Sequence, residues 1–290
     1  MKETVLITGA NSFIASHIIP LLESKYQLKF LTRSPKNANE YQWDIHNQIL
    51  QEGALDDVQF IIHLAGSKLN DGSPLTEERK ALVYESRIGA ANFLRNELKR
   101  RNQTIKSFVS ASAIGYYGYQ DSTLTIDENG KKGIGFAADL SDDWEKAADQ
   151  WKEDGTAEHV AKIRVSIVLG NNGGIFPMYK NIVQQNPNVL SQPNPSYVPW
   201  NHVEDMAGIF AFAVENQLDG VYNSVAQPAS QHDIFTAITN ELGNEKQNIT
   251  PFSGQHLISK KIENEGYVFK YPTIASAVKQ LFSKEPLSQK

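Results

Sequence analysis

The chain has 290 residues, of which 40% are hydrophobic and 21% charged, and its net charge is -5 at pH 7. This composition is typical of a globular protein, and its slight acidity disfavours a nucleic-acid partner, because phosphate binding requires a basic surface. The absence of cysteine excludes disulfides, thiolate metal sites and a cysteine nucleophile. The seven histidines are scattered and form no metal-binding motif, so we expect no metal site.

The first predicted strand begins at residue 4. Such an early strand leaves no room for a signal peptide. No apolar run approaches the roughly 20 residues that a membrane-spanning helix needs. We therefore expect a cytoplasmic protein without a membrane partner.

Strands and helices alternate over the first 170 residues. Apolar runs predict strands at 4–8, 28–33, 58–66, 105–112 and 160–170. Helical periodicity predicts helices at 12–24, 75–101 and 141–153. Ser73-Pro74 and Ser141 are the predicted starts of the second and third of these helices. Nearly continuous apolar strands separated by helices indicate a parallel sheet covered on both faces, so the predicted fold class is α/β with a Rossmann-like doubly wound sheet.

The pattern changes after Gly170, where a proline-rich segment at 186–200 predicts a loop that either lines a site or only connects two elements. Further on we predict, in order, a helix at 203–216, a strand at 220–225, a helix at 231–242, and a strand then a helix within 267–282. We predict two domains. The dinucleotide-binding domain comprises 1–170 plus about 200–226, and a smaller C-terminal substrate lobe comprises about 171–199 plus 227–290.

The stretch LITGANSFIASHI has the form of a dinucleotide-binding loop that has lost glycines. Gly9 keeps the tight turn between strand and helix, but Ser12 and Ala15 hold the two later glycine positions. Ala15 is a mild change, whereas the Cβ of Ser12 lies where a pyrophosphate should approach and would be strained at a positive φ. The N–H groups of Ser12, Phe13 and Ile14 still begin a helix, which favours anions. The loop either binds a dinucleotide or only packs the first helix.

The second strand ends in LTRSPK, where an acidic residue would read a ribose 2′-hydroxyl. Arg33 stands there instead, and a guanidinium accommodates a 2′-phosphate, which favours NADP over NAD. The alternative is an ordinary surface arginine. The small residues of HLAG at 63–66 suit either a cofactor lying over the chain or tight packing between strand and helix.

The segment VSASAIGYYG at 109–118 resembles the short-chain dehydrogenase/reductase superfamily in its extended form. The resemblance narrows to an atypical branch, the cell-division-inhibitor-like epimerase family proteins, which are related to sugar-nucleotide epimerases. Other matching segments follow in the same order along nearly the whole chain, among them LTEERKALVYESRIGAANFL, RVSIVLGNNGG, WNHVEDMAGIFAFAVEN and GYVFKYPTIASAVKQL. The first loop and the proline-rich loop depart from the branch, which has glycine-rich segments at both places.

The resemblance implies an NADP-type cofactor at the carboxyl edge of the sheet and a C-terminal lobe that closes over a substrate. It implies cofactor contacts at Gly9, Phe13, Ile14, Thr32, Arg33, Leu64, Ala65, Arg87 and Val168. We add Ser12, whose hydroxyl could donate to a phosphate. The expected cofactor is NADP, with NAD as the alternative.

Oxidoreductases of this superfamily use a serine together with a tyrosine and a lysine spaced Y-x-x-x-K, in which the lysine lowers the pKa of the tyrosine. No tyrosine of this chain has lysine four residues later, and alignment places Ala137 and Ser141 at the two positions. Ser112 matches the serine, and Tyr116 and Tyr117 follow it, so these three are the candidate catalytic residues. A phenol whose pKa is about 10 can donate a proton but is a poor base without a cation.

Arg164 and His202 are further polar candidates at the carboxyl end of the sheet, and helix capping is the alternative role for His202 and Asp205. The leading hypothesis is an NADP-dependent oxidoreductase or epimerase that acts on a small polar substrate, such as a sugar or sugar-nucleotide. A non-catalytic protein that senses NADP(H) or a metabolite is the second hypothesis, favoured by the missing tyrosine–lysine pair. A cofactor-free protein-interaction module is the third, favoured by Ser12. A homodimer is a possible assembly.

Overall fold

We describe the structure from a computed structural model that covers residues 2–69, 72–118, 125–186, 188–191, 194–243, 247–249, 252 and 254–283. The chain divides into two compact units. The first unit contains the chain up to Gly118 together with Lys132–Arg164 and Phe210–Val221, and the second contains the remaining residues. Within the described ranges, no helix has both the length and the apolar character that crossing a bilayer would require.

The strands and helices have the following bounds. The strands are β1 Thr4–Thr8, β2 Gln27–Thr32, β3 Glu40–Asp44, β4 Ile49–Leu50, β5 Val58–His63, β6 Ile105–Ala113, β7 Ala157–Val165, β8 Ile167–Gly170, β9 Gly173–Gly174, β10 Tyr197–Val198, β11 Trp200–His202, β12 Gly220–Ser224 and β13 Ala229–Ser230. The helices are α1 Ala15–Leu22, α2 Glu77–Tyr84, α3 Ala90–Arg100, α4 Phe136–Glu153, α5 Phe176–Gln185, α6 Val203–Glu215, α7 Gln231–Glu241, α8 Lys260–Asn264 and α9 Ile274–Ser283. Glu85–Gly89 forms a π turn, and Ile114–Tyr117 and Val189–Ser191 form 3₁₀ turns.

A mostly parallel eight-stranded sheet has the order β12-β7-β6-β5-β1-β2-β3-β4. The inner run β3-β2-β1-β5-β6-β7 is the strand order of a Rossmann fold, in which the order reverses between β1 and β5. Every residue of β1 is buried, as expected for a strand covered on both faces by helices. The predicted α/β, Rossmann-like fold class is confirmed.

In the second unit, smaller sheets and helices surround a separate apolar core. β8 lies between β11 and β9, and β10 pairs with β13. The buried residues of this core include Phe176, Trp200, Ile234 and Ile274. The predicted single strand at 160–170 is wrong, because it is interrupted at Ser166, whose hydroxyl donates to the carbonyl of Ser224 at 2.5 Å.

Two predicted helix starts are wrong. Thr76, not Ser73-Pro74, is the N-cap of α2, since its side chain accepts a hydrogen bond from the N–H of Arg79. Helix α4 begins at Phe136, and Ser141 lies buried inside it, where its hydroxyl donates to the carbonyl of Ala137 at 2.7 Å. A serine can satisfy its hydroxyl within a helix in this way, so the presence of Ser141 did not by itself locate the first residue of α4.

The predicted strand at the start of 267–282 is also wrong. The N–H groups of Lys270 and Tyr271 donate to the buried carboxylate of Asp205 at 2.7 and 2.9 Å instead of to a neighbouring strand. Asp205 therefore fixes the conformation of this segment. His202 has a capping role at the start of α6, where its Nδ1 accepts the N–H of Glu204 at 3.2 Å. Burial raises the pKa of Asp205.

Candidate functional site

Two loops follow neighbouring strands at the point where the strand order reverses. β1 ends at Thr8 and β5 at His63, and these two residues are register partners. Ligands of open α/β sheets bind at such a switch point, outside the carboxyl ends of the strands. The loops after Thr8 and His63 therefore form the candidate nucleotide site of the first unit.

The turn after β1 requires its glycine. Gly9 has a φ of +65°, and a Cβ at this residue would lie 2.7 Å from the carbonyl carbon of Leu64. Both the left-handed conformation and the close approach of the two loops exclude other residues without strain. Gly9 thus fills the role predicted for it at the tight turn.

Ser12 is compatible with its position in the loop. Its φ is not positive, so the expected strain does not arise. Its N–H donates to the carbonyl of Gly9 at 2.9 Å, and its hydroxyl accepts the N–H of Ala15 at 3.3 Å. Phe13 and Ile14 complete the entry to α1. The loop therefore keeps an ordered helix N-terminus, the feature that favours anions.

A buried histidine joins the two loops to the π turn. The hydroxyl of Thr8 accepts the N–H groups of Leu64 and Ala65 at 3.1 and 3.0 Å, and lies 2.9 Å from Nδ1 of His63. Nε2 of His63 lies 3.0 Å from the carbonyl oxygen of Arg87. Because a carbonyl only accepts, Nε2 carries the proton and Thr8 donates to Nδ1. Burial lowers the pKa of His63 to about 4.

This role of His63 was not predicted from the sequence. The available signal was a histidine that ends an otherwise apolar strand. A polar ring that is completely buried must have hydrogen-bond partners, and these come from two other segments of the chain.

Arg87 presents a half-buried positive charge next to these loops. Its Nη1 donates to the carbonyls of Ser67 and Val83 at 3.0 and 3.2 Å, and its guanidinium lies 5.1 Å from the centre of the Trp144 ring. A Cβ on Gly66 would approach the guanidinium carbon to 3.0 Å. Burial lowers the pKa of Arg87 to about 10, and no described carboxylate forms an ion pair with it. Such a cation is suited to an anionic ligand.

The other predicted cofactor residues fall into two places. Thr32 ends β2, beside β1, and its hydroxyl accepts the N–H of Ser34 at 3.3 Å. Arg33 follows it, is exposed, and forms no ion pair with a described residue. Val168 lies in the second unit, where β8 pairs it with Asn201.

A second polar cluster contains Ser112 and Tyr117, two of the three predicted catalytic residues. The hydroxyl of Ser112 donates to Glu145 at 2.6 Å. Nε and Nη2 of Arg164 donate to the two oxygens of the same carboxylate at 2.7 and 2.8 Å. Nη1 of Arg164 donates to the hydroxyl of Tyr117 at 2.7 Å. The exposed fractions are 2% for Ser112, 3% for Tyr117, 6% for Glu145 and 2% for Arg164.

Tyr116 lies on the more accessible side of this cluster. The guanidinium carbon of Arg164 is 3.6 Å from the centre of its ring, and the ring meets that of Tyr117 edge to face. Tyr116 is half-buried. The cation of Arg164 therefore contacts both tyrosines of the 3₁₀ turn.

The two positions that lack tyrosine and lysine face the same turn. A Cβ on Gly115 would lie 3.3 Å from Cβ of Ala137 and 3.6 Å from the hydroxyl of Ser141. These small side chains allow the turn that carries Tyr116 and Tyr117 to pack directly on α4. Helix α4 therefore supports the turn that carries the two tyrosines, although it provides no tyrosine itself at these positions.

Glu145 is a site residue that was not predicted from the sequence. The signal was an acidic residue on the buried face of α4, four residues after Ser141 and beside Trp144. A buried carboxylate requires a cationic or hydrogen-bonding partner. The identity of that partner, Arg164 on another element, could not be read from the spacing.

Similar proteins were found at the levels of sequence and fold. Residues 5–133 match the NAD dependent epimerase/dehydratase family, and residues 242–281 match a domain of unknown function. An epimerase family protein of Mycobacterium leprae is 26% identical over 96% of this chain and 95% of its own length.

Two solved structures have the same fold. A human epimerase family protein, solved with NADPH, has a TM-score of 0.78 and 24% identity. The match covers 97% of this chain and 100% of the human chain. A nucleoside-diphosphate sugar epimerase from Corynebacterium glutamicum has a TM-score of 0.80 and 25% identity over 99% of this chain, which spans 60% of the solved chain. The chain is therefore a homologue of the epimerase family proteins, with the Rossmann-like fold of NAD(P)-dependent epimerases.

Proposed function

We propose that this protein binds NADP at the switch point and acts as an oxidoreductase or epimerase on a small polar substrate. The observation that carries the proposal is Arg87, a half-buried cation without a described acidic partner, beside the turn at Gly9, where any larger residue would be strained. The human relative was solved with NADPH, which supports this cofactor. The Corynebacterium relative is named a nucleoside-diphosphate sugar epimerase, which supports a sugar-nucleotide substrate.

The residues of the first unit fit such a cofactor. Gly9, Ser12, Phe13 and Ile14 would hold the pyrophosphate at the N-terminus of α1. Arg33, after Thr32, would meet the 2′-phosphate, because a guanidinium binds phosphate oxygens in pairs. The wall of the site would be completed by Leu64 and Ala65, which follow β5, and by Arg87 of the π turn. Val168 stays a predicted contact that the resemblance alone implies.

The bound cofactor would supply or accept a hydride, and the chain's own residues would handle the proton and the orientation. Ser112 would contact the substrate oxygen, as would Tyr116 or Tyr117. A tyrosine hydroxyl can donate a proton to a carbonyl oxygen as that oxygen gains charge.

The 2′-phosphate assignment predicts a difference between two cofactors. In the Arg33→Ala variant we expect NADPH affinity to fall by about tenfold or more, corresponding to about 1.4 kcal/mol, while NADH affinity changes little. Calorimetric titration of wild type and variant with both nucleotides measures this difference.

Arg100→Ala is a matched control, because Arg100 is also an exposed arginine but ends α3, next to the start of β6 at the opposite edge of the sheet. It should leave both affinities unchanged. Equal loss of NADPH and NADH binding in Arg33→Ala would refute the 2′-phosphate assignment. No binding of either nucleotide to the wild type at millimolar concentration would refute the proposed function and favour a protein-interaction module.

A non-catalytic sensor of NADP(H) is the second candidate. The presence of Ala137 and Ser141 on the face of α4 next to the tyrosine turn favours it, since neither can exchange a proton as tyrosine does. Tight NADPH binding without oxidation of NADPH by any of a panel of sugar-nucleotides and small carbonyl compounds would support this candidate.

A further inference from the structure

The buried ion pair beside the tyrosine turn has no part in the function proposed so far. Arg164 comes from the end of β7 and Glu145 from α4, and both are almost completely buried. A buried ion pair loses hydration that its Coulomb attraction barely recovers, so it contributes little to stability compared with apolar residues of similar size. Buried charges with specific partners are instead common at functional sites.

Arg164 is placed to act on the oxygen of Tyr117. A guanidinium has five N–H donors in a rigid plane. Two of its nitrogens, Nε and Nη2, donate to the carboxylate of Glu145, and the third, Nη1, donates to the hydroxyl of Tyr117 at 2.7 Å. The positive charge is therefore in direct contact with the phenol oxygen, while the carboxylate lies across the guanidinium. A cation in this position stabilises a phenolate more than a phenol.

Glu145 also determines the orientation of Ser112. The serine hydroxyl uses its proton to donate to the carboxylate at 2.6 Å, so its oxygen is left to accept a hydrogen bond. An accepting oxygen at this position suits the hydroxyl group that the substrate carries in its alcohol form. Glu145 thus fixes both the guanidinium and the serine.

We propose that Arg164 supplies, from β7, the positive charge that relatives with the Y-x-x-x-K pair take from a lysine on α4, and that Tyr117 is the proton-exchanging residue it serves. Glu145 is the positioning residue for Arg164 and Ser112. The inference rests on the proposed function, because it names the acid–base residue of the same site. Between the two candidate tyrosines it selects Tyr117, whose oxygen contacts the cation.

The proton and the electrons balance with the cofactor of the proposed function. In the reducing direction bound NADPH would supply the hydride: a C–H bond of the cofactor would break, a C–H bond would form at the substrate carbonyl carbon, and NADP⁺ would remain. The Oη–H bond of Tyr117 breaks as its proton passes to the carbonyl oxygen, which becomes a hydroxyl. The phenolate left behind is held by Arg164 until it takes a proton from water. In the oxidising direction the phenolate would accept the hydroxyl proton of the substrate, while bound NADP⁺ would accept the hydride from its carbon.

The proposal has a spectroscopic test that needs neither substrate nor cofactor. The full chain is labelled with ¹³Cζ-tyrosine, the signal of Tyr117 is assigned by its loss in Tyr117→Phe, and its chemical shift is followed against pH. We expect Tyr117 to ionise about one pH unit or more below the ordinary value of about 10. In Arg164→Met the transition should move upward by at least one pH unit, because the cation is gone.

Lys162→Met is the matched control. Lys162 lies two residues before Arg164 on the same strand, is buried, and pairs with Asp149, one turn after Glu145 on α4. Its loss removes a similar charge between the same two elements, but the transition of Tyr117 should stay where it is in the wild type.

Ionisation of Tyr117 in the wild type at or above the ordinary value would overturn the proposal, as would an equal shift in both methionine variants. If Arg164→Met does not fold, the wild-type titration alone decides. NADPH titration is independent of this result: a low-lying Tyr117 transition without NADPH binding would refute the proposed function, whereas NADPH binding with an ordinary Tyr117 would refute only the role given to Arg164.

Discussion

At the scale of single residues, hydrogen bonds to buried side chains connect segments that are distant in sequence. His63 is the example with the most direct consequence, because it contacts the end of β1 through Thr8 and the π turn through the carbonyl of Arg87. Both contacts require the neutral ring with its proton on Nε2. A protonated ring would place a second donor against the hydroxyl of Thr8, whose own proton would need a new acceptor.

Stability should therefore depend on pH through His63. Burial lowers its pKa in the folded chain to about 4, whereas an unfolded chain has the ordinary value near 6.5. Between these values the unfolded chain binds a proton that the folded chain does not, so the free energy of unfolding falls as the pH falls. We expect this residue to account for a loss of about 2 kcal/mol between pH 7 and pH 4.5.

Urea unfolding of wild type and His63→Gln at both pH values measures this effect. The variant should be less stable at pH 7 but should lose about 2 kcal/mol less than the wild type on acidification, since other titrating groups are common to both. Identical pH dependence in the two proteins would show that His63 does not titrate as its burial implies.

At the scale of the secondary-structure elements, the long apolar strands were predictable, but the short strands, the strand order and several ends were not. The apolar runs that predict β1, β5 and β6 are read directly from the chain. Ser141 and Ser73-Pro74 have the residue types of helix caps but do not cap. Ser141 satisfies its hydroxyl inside α4, and Thr76 caps α2 in place of Ser73. Elements with a strong local pattern were predicted correctly, while those decided by a distant partner such as Asp205 were not.

The turn between β1 and α1 allows a sharper test at this scale. Gly9→Ala places a Cβ 2.7 Å from the backbone of Leu64 in addition to the cost of a positive φ. Gly155 also has a positive φ, of +73°, but a Cβ there would meet nothing within 4 Å. We expect Gly155→Ala to cost about 1 kcal/mol and to leave NADPH binding intact. Gly9→Ala should cost clearly more and should abolish NADPH binding.

Denaturant unfolding and NADPH titration of both variants provide the comparison. The difference between them isolates the steric contact of the two loops, because the backbone conformation is left-handed in each case. If the two variants lose equal stability and both bind NADPH, the two loops are not held together as closely as the structure shows.

At the scale of the whole molecule, a ligand that binds only the folded chain should raise its stability. Binding at a free concentration of 100 times Kd contributes about 2.7 kcal/mol, and this holds whatever the fold of the binding site. We expect NADPH to raise the thermal unfolding midpoint, and to raise it less in Arg33→Ala than in Arg100→Ala. An unchanged midpoint at millimolar NADPH would contradict cofactor binding. The predicted domain boundaries and a homodimer stay predictions, for limited proteolysis and sedimentation to test.

The sequence by itself determined the fold class of this protein. Alternating apolar strands and helices, the glycine after β1 and the tyrosine turn after β6 are local patterns, and local patterns survive in one dimension because hydrophobic periodicity and turn chemistry act over a few neighbouring residues. Only the tertiary structure decided the partners of the buried polar groups. Ser112, Glu145 and Arg164 come from three different elements and meet because strand order and register bring them together. Such a pairing depends on the packing of the whole sheet, so it cannot be predicted from the spacing of residues in the sequence.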